Sequence, residues 1–175
     1  GGRTVARINP LGYRTTSVYD DLNRTIASID PLARITTTVY NEIGQAVARV
    51  NPLEEVTTTV FDLAGRAIAS IDPLERITTT VFDAAGQTLA TINPAGERTT
   101  TVYDLAGRAV ASVNPLQERT TTLYDPAGRP IASVDPLLRR STTVYNAAGD
   151  VVASVNPMGQ RNTNLYDNAG RVVQA

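Results

Sequence analysis

Cysteine, histidine, lysine and tryptophan are all absent from this chain of 175 residues. Without Cys there is no disulfide framework, no thiolate metal site and no cysteine nucleophile. Without His the commonest general base and the commonest transition-metal ligand are gone. All sixteen basic residues are Arg, which removes Schiff-base and lysine-nucleophile chemistry. Large core formers are scarce, with two Phe and one Met, so any core is thin. No apolar run reaches the roughly 18 residues that a membrane-spanning helix needs. The formal net charge is −1. Nucleic-acid binding is therefore not expected, because phosphate neutralisation calls for a basic patch or stripe.

What the chain does have is β-branched residues and repetition. Apolar content is 42%, most of it Val, Ile, Leu and Ala, with Thr abundant beside them, and that enrichment points to strands. An aromatic residue followed by Asp or Asn recurs at Tyr19-Asp20, Tyr40-Asn41, Phe61-Asp62 and Phe82-Asp83, then at Tyr103-Asp104, Tyr124-Asp125, Tyr145-Asn146 and Tyr166-Asp167. Every step is 21 residues. The Asx-Pro pair keeps the same step from Asn9-Pro10 to Asn156-Pro157. Repetition at a fixed period is the signature of a repeat architecture. The opening Gly2-Arg3 aligns with Gly107-Arg108. Residues 1–175 therefore read as a single repeat array that starts and ends inside a unit, as a fragment of a larger protein would.

One unit runs ERTTTVYDLAGRAVASVNPL from Glu97 to Leu116. Arg98 to Asp104 has strand composition. Asp104-Leu105-Ala106-Gly107 suits a type I turn closed by a left-handed Gly, the three-residue hairpin with a glycine bulge. Asn23 replaces Gly in one copy, and Asn is the next best tolerated residue there. The second strand stops at Asn114-Pro115, since Pro cannot donate to a ladder and Asx-Pro starts turns. Each unit is thus two short strands and two turns. Placing Asp104 opposite Arg108 sets Tyr103 against Ala109, Val102 against Val110, Thr101 against Ala111 and Thr99 against Val113. Both faces then come out mixed, and a sheet partly covered on each side is expected. The unvarying small residue at Ala111 and its equivalents predicts close approach by a neighbouring layer, with Tyr103 and its equivalents filling that layer.

The pattern Tyr-Asp-x-x-Gly-Arg, with a second turn ten residues on, resembles the YD repeat of the Rhs family over essentially the whole chain. That resemblance implies a continuous strip of antiparallel hairpins spiralling into a shell. Its members include bacterial polymorphic toxins, the C component of Tc insecticidal toxins, wall-associated contact-inhibition proteins and teneurins. In the toxins the shell encloses a toxic domain; in teneurins it is extracellular and supports adhesion. Asp125-Pro126-Ala127-Gly128 superficially resembles the family's self-cleaving Asp-Pro-x-Gly element, yet it sits in phase with the ordinary turn.

The fold expected is all-β: about eight 21-residue antiparallel hairpins in a curved superhelical sheet or shell segment. A parallel β-solenoid with one 21-residue unit per coil is the alternative. The turn residues Asp104, Gly107, Asn114 and Pro115 and the packing residues Tyr103 and Ala111 carry structure. No catalytic, cofactor or metal residue is expected, because a column of turn carboxylates offers no asymmetric acid pair and lacks the dense ligand pattern of calcium-binding repeats. The role expected is a non-catalytic scaffold in a secreted bacterial shell that encloses or displays another domain. The alternative is an extracellular filament or adhesin that binds carbohydrate or a cell surface. Expected partners are neighbouring repeats or identical chains end to end, and an enclosed toxin domain or carbohydrate. Neither nucleic acid nor membrane is expected.

Overall fold

The computed structural model of the chain describes residues 5–167 and 170–174. Gly2 and Arg3 lie outside the described residues. The described residues form strands and turns without helix, and the chain divides into two compact units. The first holds the residues up to Phe82 together with Thr91–Gly96, and the second holds Asp83–Ala90 and the residues from Glu97 on.

In the first unit the strands are β1 (Ala6–Ile8), β2 (Arg14–Tyr19), β3 (Thr25–Ile29), β4 (Ile35–Tyr40), β5 (Ala46–Val50), β6 (Val56–Phe61), β7 (Ala67–Ile71) and β8 (Ile77–Phe82). Strand β9 (Thr88–Ile92) contributes residues to both units. The second unit continues with β10 (Arg98–Tyr103), β11 (Ala109–Val113), β12 (Arg119–Tyr124), β13 (Pro130–Val134), β14 (Arg140–Tyr145), β15 (Val151–Val155) and β16 (Arg161–Thr163). A small ladder of β17 (Leu165–Tyr166) with β18 (Val172–Gln174) follows. Within each unit, pairing follows chain order and every pair is antiparallel. The parallel solenoid is thereby overturned. Its physical cause is that the chain reverses at both ends of every strand.

Both reversals use one device. At the first turn Gly107 N–H donates to Asp104 O at 3.0 Å, and Asp104 N–H donates to Arg108 O at 3.0 Å. At the second turn Gln117 N–H donates to Asn114 O and Asn114 N–H to Glu118 O, each at 3.0 Å. Pro115 stands at the position of a type I turn that suits its fixed φ. Gly107 has φ +78° and Asn23 φ 69°, both left-handed. The second turn demands the same conformation, yet Ala33, Glu54, Glu75, Gln117 and Leu138 adopt it there with φ of 60–64°. A side chain with a Cβ pays roughly 1–2 kcal/mol for that conformation.

The register departs from the sequence expectation beyond the first pair. Tyr103 faces Ala109, but Val102 then faces Ala111, Thr101 faces Ser112 and Thr100 faces Val113. Val110 is an extra residue, a β-bulge that shifts the remaining pairs by one. The same shift recurs beside Tyr19, Tyr40, Phe61, Tyr124 and Tyr145. A one-residue shift exchanges faces, so the mixed faces separate. One face carries Val102, Ala111 and Val113 with Thr100. The other carries Tyr103, Thr101 and Ser112. The next ladder keeps the division, with Ala111 opposite Thr121 and Ser112 opposite Thr120.

The expectation that Tyr103 fills a layer over Ala111 is overturned by this bulge, because the two residues lie on opposite faces. The substantial strand contacts in each unit all join neighbours in sequence, so each unit is a single layer. Ala90, Ala111, Ala132 and Ala153 are the buried apolar residues among those described. Ala111 is flanked on its own face by Val102 and Thr121, whose branched side chains screen the small methyl from water. Val39 and Leu123, on the corresponding face of their strands, remain 46% and 41% exposed.

The turns yield opposite outcomes for opposite substitutions. Leu138→Gly is expected to stabilise the chain by about 1 kcal/mol by removing left-handed strain, offset in part by the entropy of Gly in the unfolded chain. Gly96→Ala is expected to destabilise it by roughly 1 kcal/mol through strain alone, since no atom lies within 4 Å of the added Cβ. Gly107→Ala is expected to cost more, because its Cβ would lie 2.9 Å from Gln87 Nε2 and displace the hydrogen bond from that atom to Gly107 O. Urea midpoints of the three variants check the order.

Candidate functional site

The chemistry of the molecule is gathered at the turns, where each Asx side chain is a small acceptor site. Asp104 Oδ1 accepts from the backbone N–H of Ala106 and of Arg108, both at 2.9 Å, and Oδ2 accepts from Arg108 Nε at 2.7 Å. Asn114 Oδ1 likewise accepts from the N–H of Leu116 at 3.0 Å and of Glu118 at 2.9 Å. Its Nδ2 donates to Glu118 Oε2 at 2.6 Å.

The residue four positions on follows the chemistry of the Asx. Asp20, Asp30, Asp62, Asp72, Asp104, Asp125, Asp135 and Asp167 each pair with an Arg. Asn41, Asn51, Asn114, Asn146 and Asn156 each donate to a Gln, Glu or Asp. The reason is complementarity: an Asn amide has donors to place, whereas an Asp carboxylate has none. Asp83 departs from the pattern, with Gln87 at the fourth position and the Gln87 N–H donating to Asp83 Oδ1 at 2.8 Å. Asp125-Pro126-Ala127-Gly128 belongs to the same series of turns, with Asp125 bound by Arg129 at 2.7 Å.

At the first turn the Arg also reaches the next hairpin. Arg108 lies over the Tyr124 ring at 4.9 Å, and its Nη1 donates to Asp125 O at 3.4 Å. Tyr124 Oη in turn donates to Ala109 O at 2.9 Å. Arg24 with Tyr40, Arg66 with Phe82 and Arg129 with Tyr145 repeat the stacking. Where Gln stands instead, Gln45 and Gln87 donate to the carbonyls of Gly65 and Gly107. The rings of Tyr40, Tyr124 and Tyr145 are thus capped by guanidinium groups and their hydroxyls are engaged, which leaves packing between hairpins as their work.

The electrostatics agree. The carboxyls of Asp20, Asp30, Asp62, Asp72, Asp104, Asp125 and Asp135 are all held below their ordinary value. At Asp20, Asp62, Asp104 and Asp125 the leading cause is the backbone N–H of the Arg four residues on. At Asp72 it is the Arg76 guanidinium. At Asp30 and Asp135 desolvation is the largest influence and pulls upward, and the hydrogen bonds from Arg34 and Arg139 together outweigh it. A carboxylate so engaged is a poor proton shuttle and a poor cation ligand. Among the described residues no group of three acidic side chains gathers to hold a metal. A groove in the first unit lined by Ile43, Val47, Val60, Phe61 and Leu63 includes Asp62, which is committed to Arg66.

Sequence reasoning identified Asp104, Gly107, Asn114 and Pro115 as turn residues, and the structure sets them in two turns of one design. It brings Tyr103 and Ala111 into one hairpin on opposite faces. The Arg–Asp pair across the first turn, as between Arg108 and Asp104, was legible in the sequence, whereas the rule that an Asn instead takes a Glu, Gln or Asp four residues on was missed, although comparing the copies with one another would have exposed it.

Comparison with protein-family models gives no match, and comparison with curated proteins gives none. Solved structures do match. The crystal structure of TcdB2-TccC3 without its hypervariable C-terminal region aligns with TM-score 0.70 and 21% identity, covering 89% of this chain and 9% of that one. The crystal structure of TcdB2-TccC3 gives TM-score 0.70 and 22% identity over 90% of this chain and 9% of that one. The fold is shared with TcdB2-TccC3. A Photorhabdus luminescens Tc holotoxin pore aligns at TM-score 0.53 and 16% identity, over 97% of this chain and 11% of that one. The chain therefore spans only a small part of the length of each.

Two outcomes follow from the turn chemistry. The first is a pH dependence. The folded-state pKa of each of these Asp residues is lowered, so the unfolded chain binds more protons as pH falls, and stability is lost on acidification. With no His, Cys or Lys, the urea midpoint should be flat between about pH 5 and 9 and fall below about pH 4. An unchanged midpoint down to pH 3 would refute the assignment. The second is a swap. Asp135→Asn should lower the urea midpoint by setting an amide against Arg139, and adding Arg139→Glu should restore most of the loss by recreating the Asn114–Glu118 pair.

Proposed function

We propose that this chain is a stretch of wall: a non-catalytic scaffold segment of a Rhs-type shell that encloses or displays another domain. The observation that carries the reading is the clamp between successive hairpins. Arg108 grips Tyr124 and the Asp125 carbonyl, and Tyr124 grips the Ala109 carbonyl. The same clamp joins Arg24 to Tyr40 in the first unit. Each hairpin thus stabilises its neighbours and adds to a strip at constant spacing. Accumulated strand twist, strengthened by one bulge per unit, curls such a strip into a superhelix.

The shared fold with TcdB2-TccC3 and the strict YD-like period support a shell over other repeat architectures. The partners in this reading are further repeats of the same polypeptide or identical chains end to end, with a toxin domain as the enclosed cargo. The place of action is outside a bacterial cell or on its surface. Among the described residues the Asp carboxylates that open the turns are tied to Arg or backbone partners, which supports a role without chemistry.

Electron microscopy of the purified chain at several concentrations tests the reading. Short curved strips or hollow particles of fixed size are expected. Long fibres whose length grows with concentration would replace the wall with a surface filament.

A further inference from the structure

One first turn departs from its counterparts. It runs Asp20-Asp21-Leu22-Asn23 and closes on Asn23 at φ 69°, where the other copies close on Gly. A left-handed turn by itself accounts for Asn23, but not for its neighbours. Two residues on stands Thr25, in a slot that holds Ala46, Ala67, Ala109, Pro130 and Val151 elsewhere and Thr in one other copy, Thr88. Two residues back stands Asp21, in a slot that holds Leu63, Ala84, Leu105, Pro126 and Ala147 elsewhere and an acid in one other copy, Glu42. The three coincide in this turn alone. Asn23-Arg24-Thr25 is also the one Asn-x-Ser/Thr triplet in the sequence whose middle residue is not Pro, the pattern of an N-linked sugar acceptor.

The structure leaves the reacting groups of this triplet free. The amides of Asn41, Asn51, Asn114, Asn146 and Asn156 are spent on the residue four positions on. Asn23 instead closes its turn through the backbone, its N–H donating to Asp20 O at 3.1 Å. Its side-chain amide has no partner among the described residues, and the residue is exposed at the tip of the turn. Thr25 is exposed as well. Its carbonyl accepts from Tyr40 Oη at 3.2 Å, while its hydroxyl is without a partner among the described residues. Arg24, between the two, is drawn aside. Its Nε donates to Asp20 Oδ2 at 2.7 Å, and its guanidinium lies 4.6 Å from the centre of the Tyr40 ring. Because Asp20 holds Arg24, the exposed Asp21 carboxylate stays outside that ion pair. The tip of the turn belongs to neither strand face, so a bulky group there leaves the ladder and the clamp between hairpins intact.

We propose that Asn23 is the acceptor of an N-linked oligosaccharide, transferred to the folded turn from a polyprenyl-pyrophosphate donor. Asn23 Nδ2 attacks the anomeric carbon of the first sugar. The carbon–nitrogen bond forms as the bond from that carbon to the pyrophosphate oxygen breaks. The lipid pyrophosphate leaves with the electron pair, and the amide proton passes to a carboxylate of the transferase. The Thr25 hydroxyl is the group by which the transferase recognises the acceptor, and the Asp21 carboxylate is a second handle for a cationic transferase site. None of this depends on what the strip encloses.

The test is incubation of the folded chain with a purified bacterial oligosaccharyltransferase and its lipid-linked oligosaccharide, read by intact mass and peptide mapping. One glycan is expected, on the peptide that contains Asn23. Asn23→Gln and Thr25→Ala should each abolish it, and Ala at the equivalent slot of other copies shows that the second change suits the fold. Asp21→Leu should slow transfer by about tenfold or more, the worth of one charge-assisted hydrogen bond. The double variant Gly44→Asn, Ala46→Thr should gain a second glycan. Glu42 already stands two residues ahead, and a Cβ at Gly44 would meet Arg24 Nη1 at an ordinary 3.7 Å. Transfer that persists in Asn23→Gln, or no transfer to the chain in any state, would overturn the assignment of the acceptor. Transfer only to the urea-unfolded chain would overturn presentation by the folded turn.

Discussion

A turn-opening Asp or Asn whose side-chain oxygen accepts two backbone N–H groups is the constraint on which this structure rests. A single-layer sheet buries little, and the buried apolar residues among those described are four alanines. Burial at roughly 25 cal/mol per Å² therefore offers little to offset the conformational entropy of ordering the chain. The turns answer this locally. Each fixes its own reversal through hydrogen bonds made within five residues, so loop closure is short and register is set before any distant contact forms. The Arg or Glu at the fourth position completes the acceptor's or donor's pairing, and at the first turn it also reaches the following hairpin.

From that device the rest follows in order. A hairpin of fixed register carries one extra residue, Val110 in the unit that spans Glu97 to Leu116. The extra residue divides the faces into one that carries Val102, Ala111 and Val113 with Thr100 and one that carries Tyr103, Thr101 and Ser112. It also places Tyr103 away from Ala111, where its ring serves the preceding hairpin: Tyr103 Oη donates to Thr88 O at 3.0 Å. Because every hairpin repeats the arrangement, no position is chemically unlike its counterparts at the level of the backbone. An active site needs one group in an environment different from that of its twin, and a strict period works against this.

Much of the fold was legible in sequence because turn chemistry is local. Gly107 and Asn23 announced a left-handed position, and Asn114-Pro115 announced a strand end. The second left-handed position was legible only in the copies that place Gly there, Gly12, Gly96 and Gly159, because Gln117 and Leu138 are poor residues for it and gave no signal. The bulge was hidden for a different reason. Threonine and small apolar residues dominate both strands, so Val102 packs acceptably against either Val110 or Ala111, and alternation alone does not choose between the registers. The Arg–Asp pair at the first turn was legible, whereas the Asn pairing becomes visible only when the copies are compared with one another.

Net charge is a sum, and a repeat protein acts through position. The slot that holds Ile35, Val56 and Ile77 in one unit and Arg98, Arg119 and Arg140 in the other keeps the same partner register in both, with Val50 opposite Val56 and Val113 opposite Arg119. A slot that accepts isoleucine, valine or arginine without moving the ladder is not one that folding depends on. In a scaffold whose turns already fix the backbone, such slots are free to vary, and the period multiplies each choice into a row of evenly spaced groups.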